Sequence, residues 1–240
     1  MEKQRFGSVY INSRPVKNAA ISEQSFKIWD TYSAPDLAMS WIRVGGIWIC
    51  DETVITDISL RTLEDKYRYR YGNILFIDGK TYLCRSLRVG TNTGEANEWD
   101  AALDEVGDDD EIWHCKRIAF FGQDECQSDQ TVGFVRGKQT SRNWDKVGAD
   151  YKDLTLGFRP VLEPLRKKDQ LSYDIVGQTV FVRSHCDMVA GQLLDYTDYD
   201  LVLRPDVSIN RSKKYSNWVT SGSDEQMFVR RDSMVQLYAK

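Results

Sequence analysis

The feature that most constrains the fold is an apolar run at residues 154–162, LTLGFRPVL, which Gly157 and Pro160 interrupt. We interpret the run as a buried strand, in which glycine marks a bulge or a close approach of another backbone, and proline removes a ladder hydrogen bond. A strand of this kind is typical of the place where a domain closes. The charged sequence that follows has the composition of a connector, so the run predicts a domain boundary near residue 166.

Length and composition are those of a globular protein. The 240 residues suffice for one large domain or two of ordinary size. Charged residues make up 28% and apolar residues 41%, which argues against wholesale disorder. Aromatic residues reach 12%, a level that suits an irregular β-rich core as well as a binding surface. The net charge of -4 gives no global electrostatic reason to expect nucleic-acid binding.

The sequence also bears on the compartment. Its first residues, MEKQRFGSVYINS, contain no apolar segment of the kind that a secretory signal requires. No run approaches the ~18 apolar residues that cross a bilayer. In a chain without an export signal, an odd number of scattered cysteines is most simply a set of reduced thiols: Cys50, Cys84, Cys115, Cys126 and Cys186. These features predict a cytoplasmic protein that does not contact a membrane.

Two hairpins are predicted within the first 90 residues. The pairs Gly45-Gly46 and Asp78-Gly79 each separate two apolar, strand-like runs. Gly-Gly and Asp-Gly favour the positive φ angles that tight hairpin turns require. Both pairs therefore indicate antiparallel neighbouring strands.

Further elements follow from capping and periodicity. A short capped helix is predicted after Ser59, and a longer helix after Asn97, in which Trp99, Ala102 and Leu103 share one buried face. Residues 112–115, IWHC, resume a β pattern. Residues 133–138 indicate a strand that ends in a tight turn.

The last part of the chain changes character. About five short strands follow one another between residues 176 and 238 without a helix, which suggests a small SH3-like barrel. A glycine in the middle of the second of these strands, Gly191, suits the sharp bend of such a barrel. The predicted fold class is α+β, mostly β, with an N-terminal extension that packs on the first domain, a first domain, a linker and a barrel, at residues 1–40, 41–165, 166–173 and 174–240.

Three landmarks in the first domain are similar to known motifs, in the same order: Arg85-Ser86-Leu87 followed by residues 97–102 (NEWDAA), Val135-Arg136-Gly137-Lys138 followed by Arg142 and Trp144, and Leu156-Gly157-Phe158-Arg159. Over roughly half of the chain, they resemble the formylglycine-generating-enzyme-like branch of the C-type lectin fold. The resemblance implies that residues 154–162 form the last core strand of a lectin-like domain and that Arg159 is structural. The oxidase members of that family use a catalytic cysteine pair, which no two of the five cysteines match.

Two other resemblances concern origin and the barrel. The segments GFRPVLE and NEWDAAL resemble segments of uncharacterised proteins encoded by phages and prophages. This resemblance implies a similar origin. Residues 191–203 resemble the first signature of Sm-like barrels. The Asp–Asn spacing through which that family contacts RNA is missing. This resemblance therefore implies an SH3-like barrel without an inherited RNA site.

An acidic run lies between the second predicted helix and the β pattern that follows it: Asp104, Glu105, Asp108, Asp109, Asp110 and Glu111. Carboxylates can bind Ca²⁺, although the run lacks the order of an EF-hand loop. A second interpretation is an acidic surface that competes for a basic, nucleic-acid-binding groove. A solvated loop is the third interpretation and the favoured one.

Catalytic and metal-binding patterns have little support. His114-Cys115 and His185-Cys186 are adjacent pairs, and adjacent residues of a strand point to opposite faces, so neither pair chelates zinc by itself. Nucleotide-binding glycine motifs and a G-x-S-x-G nucleophile motif are also missing. No cofactor is expected.

Aromatic and basic residues supply the candidate contacts. Trp99 and Phe158 are expected in the core, whereas Arg142, Asn143 and Trp144, on a loop, are expected to contact a partner. In the second domain, a basic and aromatic insertion supplies Arg211, Lys213, Lys214, Tyr215 and Trp218, and Tyr196 and Tyr199 join an aromatic groove for an extended peptide. A solvated loop with one anchored aromatic side chain is the alternative.

The leading hypothesis is a non-catalytic binding protein that acts on a protein partner or a glycan. One concrete version is a phage inhibitor of a host defence nuclease, with Asp108, Asp109 and Asp110 or the 210–218 loop as contacts. One alternative is a copper-dependent cysteine oxidase of the formylglycine-generating type. The other is an RNA-binding, Sm-like module.

Overall fold

The computed structural model describes residues 1–21, 24–31, 35–168, 171–184, 187–210, 217–222 and 225–240. The chain is mostly β, with 47% strand and 14% helix, as the sequence predicts. It divides into two compact units, Met1–Pro164 and Leu165–Lys240. None of the described helices has the length and apolarity of a membrane span.

The first unit contains strands β1–β14 and most of β15. The strands are β1 Glu2–Arg5, β2 Ser8–Ile11, β3 Arg14–Val16, β4 Ala19–Ala20, β5 Phe26–Trp29, β6 Ser40–Val44, β7 Ile47–Cys50, β8 Ile55–Thr56, β9 Asn73–Ile77, β10 Lys80–Ser86, β11 Ala119–Glu125, β12 Val132–Gly137, β13 Trp144–Gly148, β14 Leu156–Phe158 and β15 Pro160–Lys168. The helices are α1 Leu60–Asp65, α2 Glu98–Val106 and α3 Asp110–Trp113, with a 3₁₀ turn at Pro35–Leu37.

These strands form three sheets within the first unit. One has the order β1-β6-β7-β15-β10-β9, the second β13-β12-β11-β14-β8-β4, and the third β3-β2-β5. Residues 1–40, the predicted extension, thus supply strands to all three sheets. One core lies against α1, and a second core lies against α2 and contains both Trp99 and Trp113.

Local sequence explains the confirmed elements. Both predicted hairpins form, and Asp78 and Gly79 take φ angles of 48° and 79° in the turn between β9 and β10. The Asn97 side chain accepts the N–H of Asp100 at 2.9 Å and begins α2. Ser59 caps α1 in the same manner. Trp99 and Phe158 are fully buried, as predicted.

The predicted strand at residues 112–115 is wrong, because residues 112–113 belong to helix α3 and residues 114–115 to no strand. The Asp109 side chain accepts the N–H of Glu111 at 3.0 Å and caps the helix. His114 takes a left-handed conformation, φ 48°, and ends it. The Trp113 indole donates to the Gly107 carbonyl at 2.8 Å, which holds the single turn against the core. A turn this short has too few residues to display helical periodicity.

The long apolar run contains two strands. β14 ends at Phe158, Arg159 interrupts it, and β15 begins at Pro160. Glycine is required in β14, because a Cβ atom on Gly157 would lie 1.8 Å from the Ile55 carbonyl oxygen of β8. The predicted close approach of another backbone is therefore present. Within the segment interpreted as a linker, residues 166–168 are the end of β15.

The second unit contains the end of β15 and β16 Thr179–Arg183, β17 Met188–Tyr196, β18 Asp200–Pro205, β19 Val219–Ser221, β20 Met227–Arg230 and β21 Gln236–Ala239. They pair antiparallel in the order β15-β21-β16-β17-β18-β20-β19 around a separate core. The prediction of a segment without helix is wrong at α4 Val207–Asn210, whose Asn210 amide bonds to both backbone groups of Ala190. Two 3₁₀ turns lie at Tyr173–Ile175 and Arg231–Ser233.

Candidate functional site

Arg142 and the acidic run, both predicted partner contacts, pair with each other. The Arg142 guanidinium donates to Asp104 at 2.8 Å and to Asp108 at 3.2 Å, and its side chain remains 44% exposed. Exposed ion pairs of this type contribute little to stability. They do hold the arginine and the acidic residues on one continuous surface.

The neighbouring acidic residues also have partners within the chain. Asp109 caps α3, and Asp110 accepts the backbone N–H of Lys116 at 2.6 Å. In the described ranges, no group of three or more His, Cys, Asp or Glu side chains is arranged to hold a metal ion. Four residues of the acidic run, Asp104, Asp108, Asp109 and Asp110, therefore act as caps or as partners of ion pairs and hydrogen bonds.

Trp144 and Asn143 lie at the start of β13. The Trp144 indole donates to the Gly90 carbonyl at 3.1 Å, and its ring stacks on Phe134 with centroids 5.5 Å apart. The Lys146 ammonium lies over both rings. Trp144 is consequently half-buried, and its residual surface lies beside the edge of the sheet. The Asn143 backbone carbonyl accepts the N–H of Gly137 at 3.2 Å.

The candidate contacts of the second unit differ in where they lie and in whether the structure describes them. Four of them, Arg211, Lys213, Lys214 and Tyr215, lie outside the described residues, as do His185 and Cys186. Trp218 is only 5% exposed and packs in the core, so its ring does not face solvent as a partner contact would. Tyr196 packs against Tyr173 with ring centroids 5.2 Å apart, and Tyr199 is 80% exposed.

The cysteines differ sharply from one another. Cys50, Cys84 and Cys115 are buried, and burial raises the pKa of each thiol. Cys126 is partly exposed. A hydrogen bond with the Ser128 hydroxyl and bonds from nearby backbone N–H groups lower its pKa. The lowered pKa and the partial exposure favour reaction at Cys126 over the three buried thiols.

Charged groups of the three sequence landmarks meet around α2. Buried Arg85 pairs with Glu98 at 2.6 Å and also with Glu163. Arg136 pairs with Asp100 at 2.6 Å, and its Nη2 donates to the Val89 carbonyl at 2.8 Å. These pairs join α2 to β10, β12 and β15.

Arg159 completes this arrangement. It is fully buried and donates to the carbonyls of Cys50 and Trp113, at 3.2 and 2.6 Å. Its guanidinium also lies over the rings of Trp99 and Phe120. Such buried, hydrogen-bonded charges fix a core and are removed only at a cost in stability.

The structure presents one surface of which sequence reasoning predicts only Asn143 and Trp144. We define the edge surface as residues 143–155, which comprise β13, at one edge of its sheet, and the loop that follows it. Two large apolar side chains of the loop are exposed, Tyr151 by 49% and Leu154 by 67%. Asp145, Asp150 and Asp153 give the surface acidic groups.

A cavity of about 70 Å³ opens on the edge surface. Its apolar walls come from Ala119, Val135, Val147 and Leu156, and its polar walls include Lys138, Asn143, Asp145, Tyr151, Asp153 and Thr155. A second cavity, of about 80 Å³, lies beside α1 and is lined by Lys66, Lys152 and several polar groups. Both are several-fold smaller than the ~300–1,000 Å³ typical of small-molecule sites. The first cavity has the size of a single side chain.

The composition of the loop explains why the sequence does not predict this surface. Residues 149–153 read as a polar connector, and the predicted buried strand is wrong at its start, because Leu154 is exposed and β14 begins at Leu156. The alternation of Asn143, Asp145 and Val147 is the one signal that these side chains share a face. The cavity walls also require β11, β12 and β14 to lie side by side, which is a long-range arrangement. No protein-family model, no curated protein and no solved structure matches this chain.

Proposed function

We propose that this chain is a non-catalytic binding protein that recognises a protein partner through the edge surface. One observation carries the proposal: exposed Tyr151 lines a side-chain-sized cavity beside the edge strand of a sheet, and exposed Leu154 lies in the same loop. Edge strands and contiguous apolar side chains are the features through which proteins pair with other chains. An apolar centre with a polar rim is also the usual composition of an interface.

The charge of the surface indicates the kind of partner. Three aspartates, Asp145, Asp150 and Asp153, outnumber the two lysines on it, Lys146 and Lys152, although Asp150 already pairs with Arg61. The acidic run with Arg142 belongs to the same unit. Acidic surfaces associate faster with basic ones and select against acidic proteins. A nuclease whose nucleic-acid groove is basic has this chemistry, and inhibition of such an enzyme is the concrete version of the proposal.

The finer fold assignments belong to the same proposal. The ion pairs of Arg85 with Glu98 and of Arg136 with Asp100, together with the stacking of Arg159 on Trp99, support a lectin-like first unit because they join the three landmarks on which the resemblance rests. The six-stranded antiparallel arrangement from β16 to β21 and the tight position of Gly191 support a small SH3-like barrel.

Capture from bacterial lysate with matched variants tests the proposal. Tyr151→Ser/Leu154→Ser removes the apolar centre of the edge surface, and Tyr199→Ser/Val207→Ser removes side chains that are 80% and 76% exposed in the second unit. We expect the first variant to retain at least tenfold less of the protein that the wild-type chain captures, and the second to retain as much as the wild type. Circular dichroism and melting temperature verify that both variants fold.

Two results would overturn the proposal. One is that the wild-type chain captures no protein specifically. The other is that the second variant loses the captured protein while the first retains it.

A further inference from the structure

The backbone of β13 alternates between groups that pair with β12 and groups that face away. The Asn143 carbonyl accepts from Gly137, and the Ala149 N–H donates to the Thr131 carbonyl at 2.6 Å, so these residues point their backbone groups at β12. Antiparallel alternation then turns the backbone groups of Trp144, Lys146 and Gly148 away from β12. This row of groups is the free edge of the sheet.

Part of the free edge is capped by the chain itself. The Asp145 carboxylate accepts the N–H of Lys146 at 2.7 Å, and the Gly148 carbonyl accepts the N–H of Tyr151 at 2.9 Å. Within the described parts of the chain, the backbone N–H groups of Trp144 and Gly148 and the carbonyls of Trp144 and Lys146 have no hydrogen-bond partner and remain for another strand. The cap on Lys146 is local, so an incoming carbonyl can replace it without moving the sheet.

The cavity lies on the same face as the Asp145 and Val147 side chains. Two carboxylates, of Asp145 and Asp153, and one ammonium, of Lys138, line it, so its charge is negative. Asp153 already accepts both the N–H and the hydroxyl of Thr155. Asp145 is therefore the carboxylate that can turn toward a ligand.

We propose that the partner adds an extended segment to β13 and places a Lys or Arg side chain in the cavity beside Asp145. This inference rests on the proposed protein-binding function and specifies its ligand. A backbone carbonyl of the segment takes the Lys146 N–H, which frees the Asp145 carboxylate to pair with the incoming cation. The aliphatic stem of that side chain packs on Val135, Val147 and Leu156.

The geometry also specifies a second position of the segment. Residues two apart in a strand share a face, so the residue two positions from the cation lies beside Val147. Cross-strand pairs of β-branched residues are favourable there, as are pairs of opposite charge beside Asp145. The expected pattern is a basic residue and a Val or Ile separated by one residue, with the basic residue first in a segment parallel to β13 and last in an antiparallel one.

Capped synthetic peptides test the inference directly. The probe is acetyl-Thr-Val-Thr-Lys-Thr-Val-Thr-amide, which presents the pattern in both strand directions, with matched peptides that carry Leu or Glu in place of Lys. Binding to the full-length chain is followed by the backbone amide shifts of Trp144, Lys146 and Gly148. We expect the Lys peptide to shift these amides and to bind about fivefold more tightly than the Leu peptide, and the Glu peptide to bind most weakly.

A matched pair of variants distinguishes the effect of the Asp145 carboxylate on peptide binding from the effect of the net charge of the chain. Asp145→Asn keeps an oxygen for the Lys146 N–H but removes the charge. Asp195→Asn makes the same change in the second unit, where Asp195 accepts the N–H of Tyr196 at 2.8 Å. We expect Asp145→Asn to abolish the preference for Lys over Leu and Asp195→Asn to leave it unchanged.

Several outcomes would overturn the inference: equal binding of the Lys and Glu peptides, shifts confined to amides away from β13, or no binding of any peptide at millimolar concentration. If protein capture still depends on Tyr151 and Leu154 in any of these cases, the proposed function stands and only the basic, extended ligand is excluded. If capture also fails, both proposals fall.

Discussion

Arg159 shows at the residue scale how this protein uses a buried charge. Two backbone carbonyls and two aromatic faces stabilise the guanidinium, which links the end of β7, the end of α3 and the junction between β14 and β15. A planar fork of donors reaches both carbonyls at once, whereas an ammonium is a point charge on a flexible stem. The residue therefore supports the region of the first unit where three elements end.

We predict that Arg159→Lys lowers the free energy of unfolding by about 2–4 kcal/mol, because at least one buried carbonyl loses its donor. Urea denaturation measures the change. Arg61→Lys is the matched control, because Arg61 is exposed and pairs with exposed Asp150 at 2.6 Å. A loss of stability that is equal in the two variants would contradict the structural role of Arg159.

Cys126 is the second prediction at this scale. Its pKa is lowered by the Ser128 hydroxyl, whereas burial raises the pKa of Cys50, Cys84 and Cys115. A lower pKa means a larger thiolate fraction at neutral pH, and the thiolate is the species that reacts. We predict that iodoacetamide modifies Cys126 before these three buried thiols in the native chain. Peptide mapping by mass spectrometry measures the order, and faster labelling of a buried thiol would contradict it.

At the scale of elements, β14 depends on the absence of one side chain. Gly157 lies against the backbone of β8, so any Cβ must push the two strands apart. Gly148 in β13 has room, since a Cβ there would have its nearest neighbour at 4.0 Å. We predict that Gly157→Ala costs about 3 kcal/mol of stability, whereas Gly148→Ala changes it little. Equal melting temperatures for the two variants would refute the close approach of β8 and β14.

Local chemistry explains which elements the sequence predicts. Asn97 caps a helix with its own side chain, and Asp78-Gly79 fixes a turn through its own φ angles. Both the helix and the turn can therefore be predicted from a few neighbouring residues. The helix at residues 110–113 is not, because it is one turn long and depends on a contact between Trp113 and Gly107. Trp218 shows the same limit, since its burial depends on strands that precede and follow it.

The candidate site is less predictable still. Asn143 and Trp144 were expected to act from a loop, but Trp144 begins an edge strand and uses its indole N–H within the chain. The cavity forms only because Val135, Val147 and Leu156 come from three strands that long-range pairing brings together. The sequence does not indicate which strand lies at the edge of a sheet. The edge surface can therefore be identified only once the order of the strands is known.

At the scale of the whole molecule, the first unit contains both the buried charge pairs and the edge surface. Arg85 and Arg136 pair with carboxylates in the core. Arg159 donates to two buried carbonyls through its Nη atoms, while its Nε has no hydrogen-bond partner among the described residues. The exposed apolar side chains Tyr151 and Leu154 have no such role in packing. The account therefore assigns stability to the buried charges and recognition to the sheet edge.

Hydrogen–deuterium exchange of the chain, alone and with the protein that it captures, tests this assignment most directly. The account predicts that bound protein slows exchange at residues 144–155, with the largest change at Trp144, Lys146 and Gly148, while α2 exchanges as it does in the free chain. Protection confined to the second unit, or unchanged exchange along β13 in a saturated complex, would contradict it.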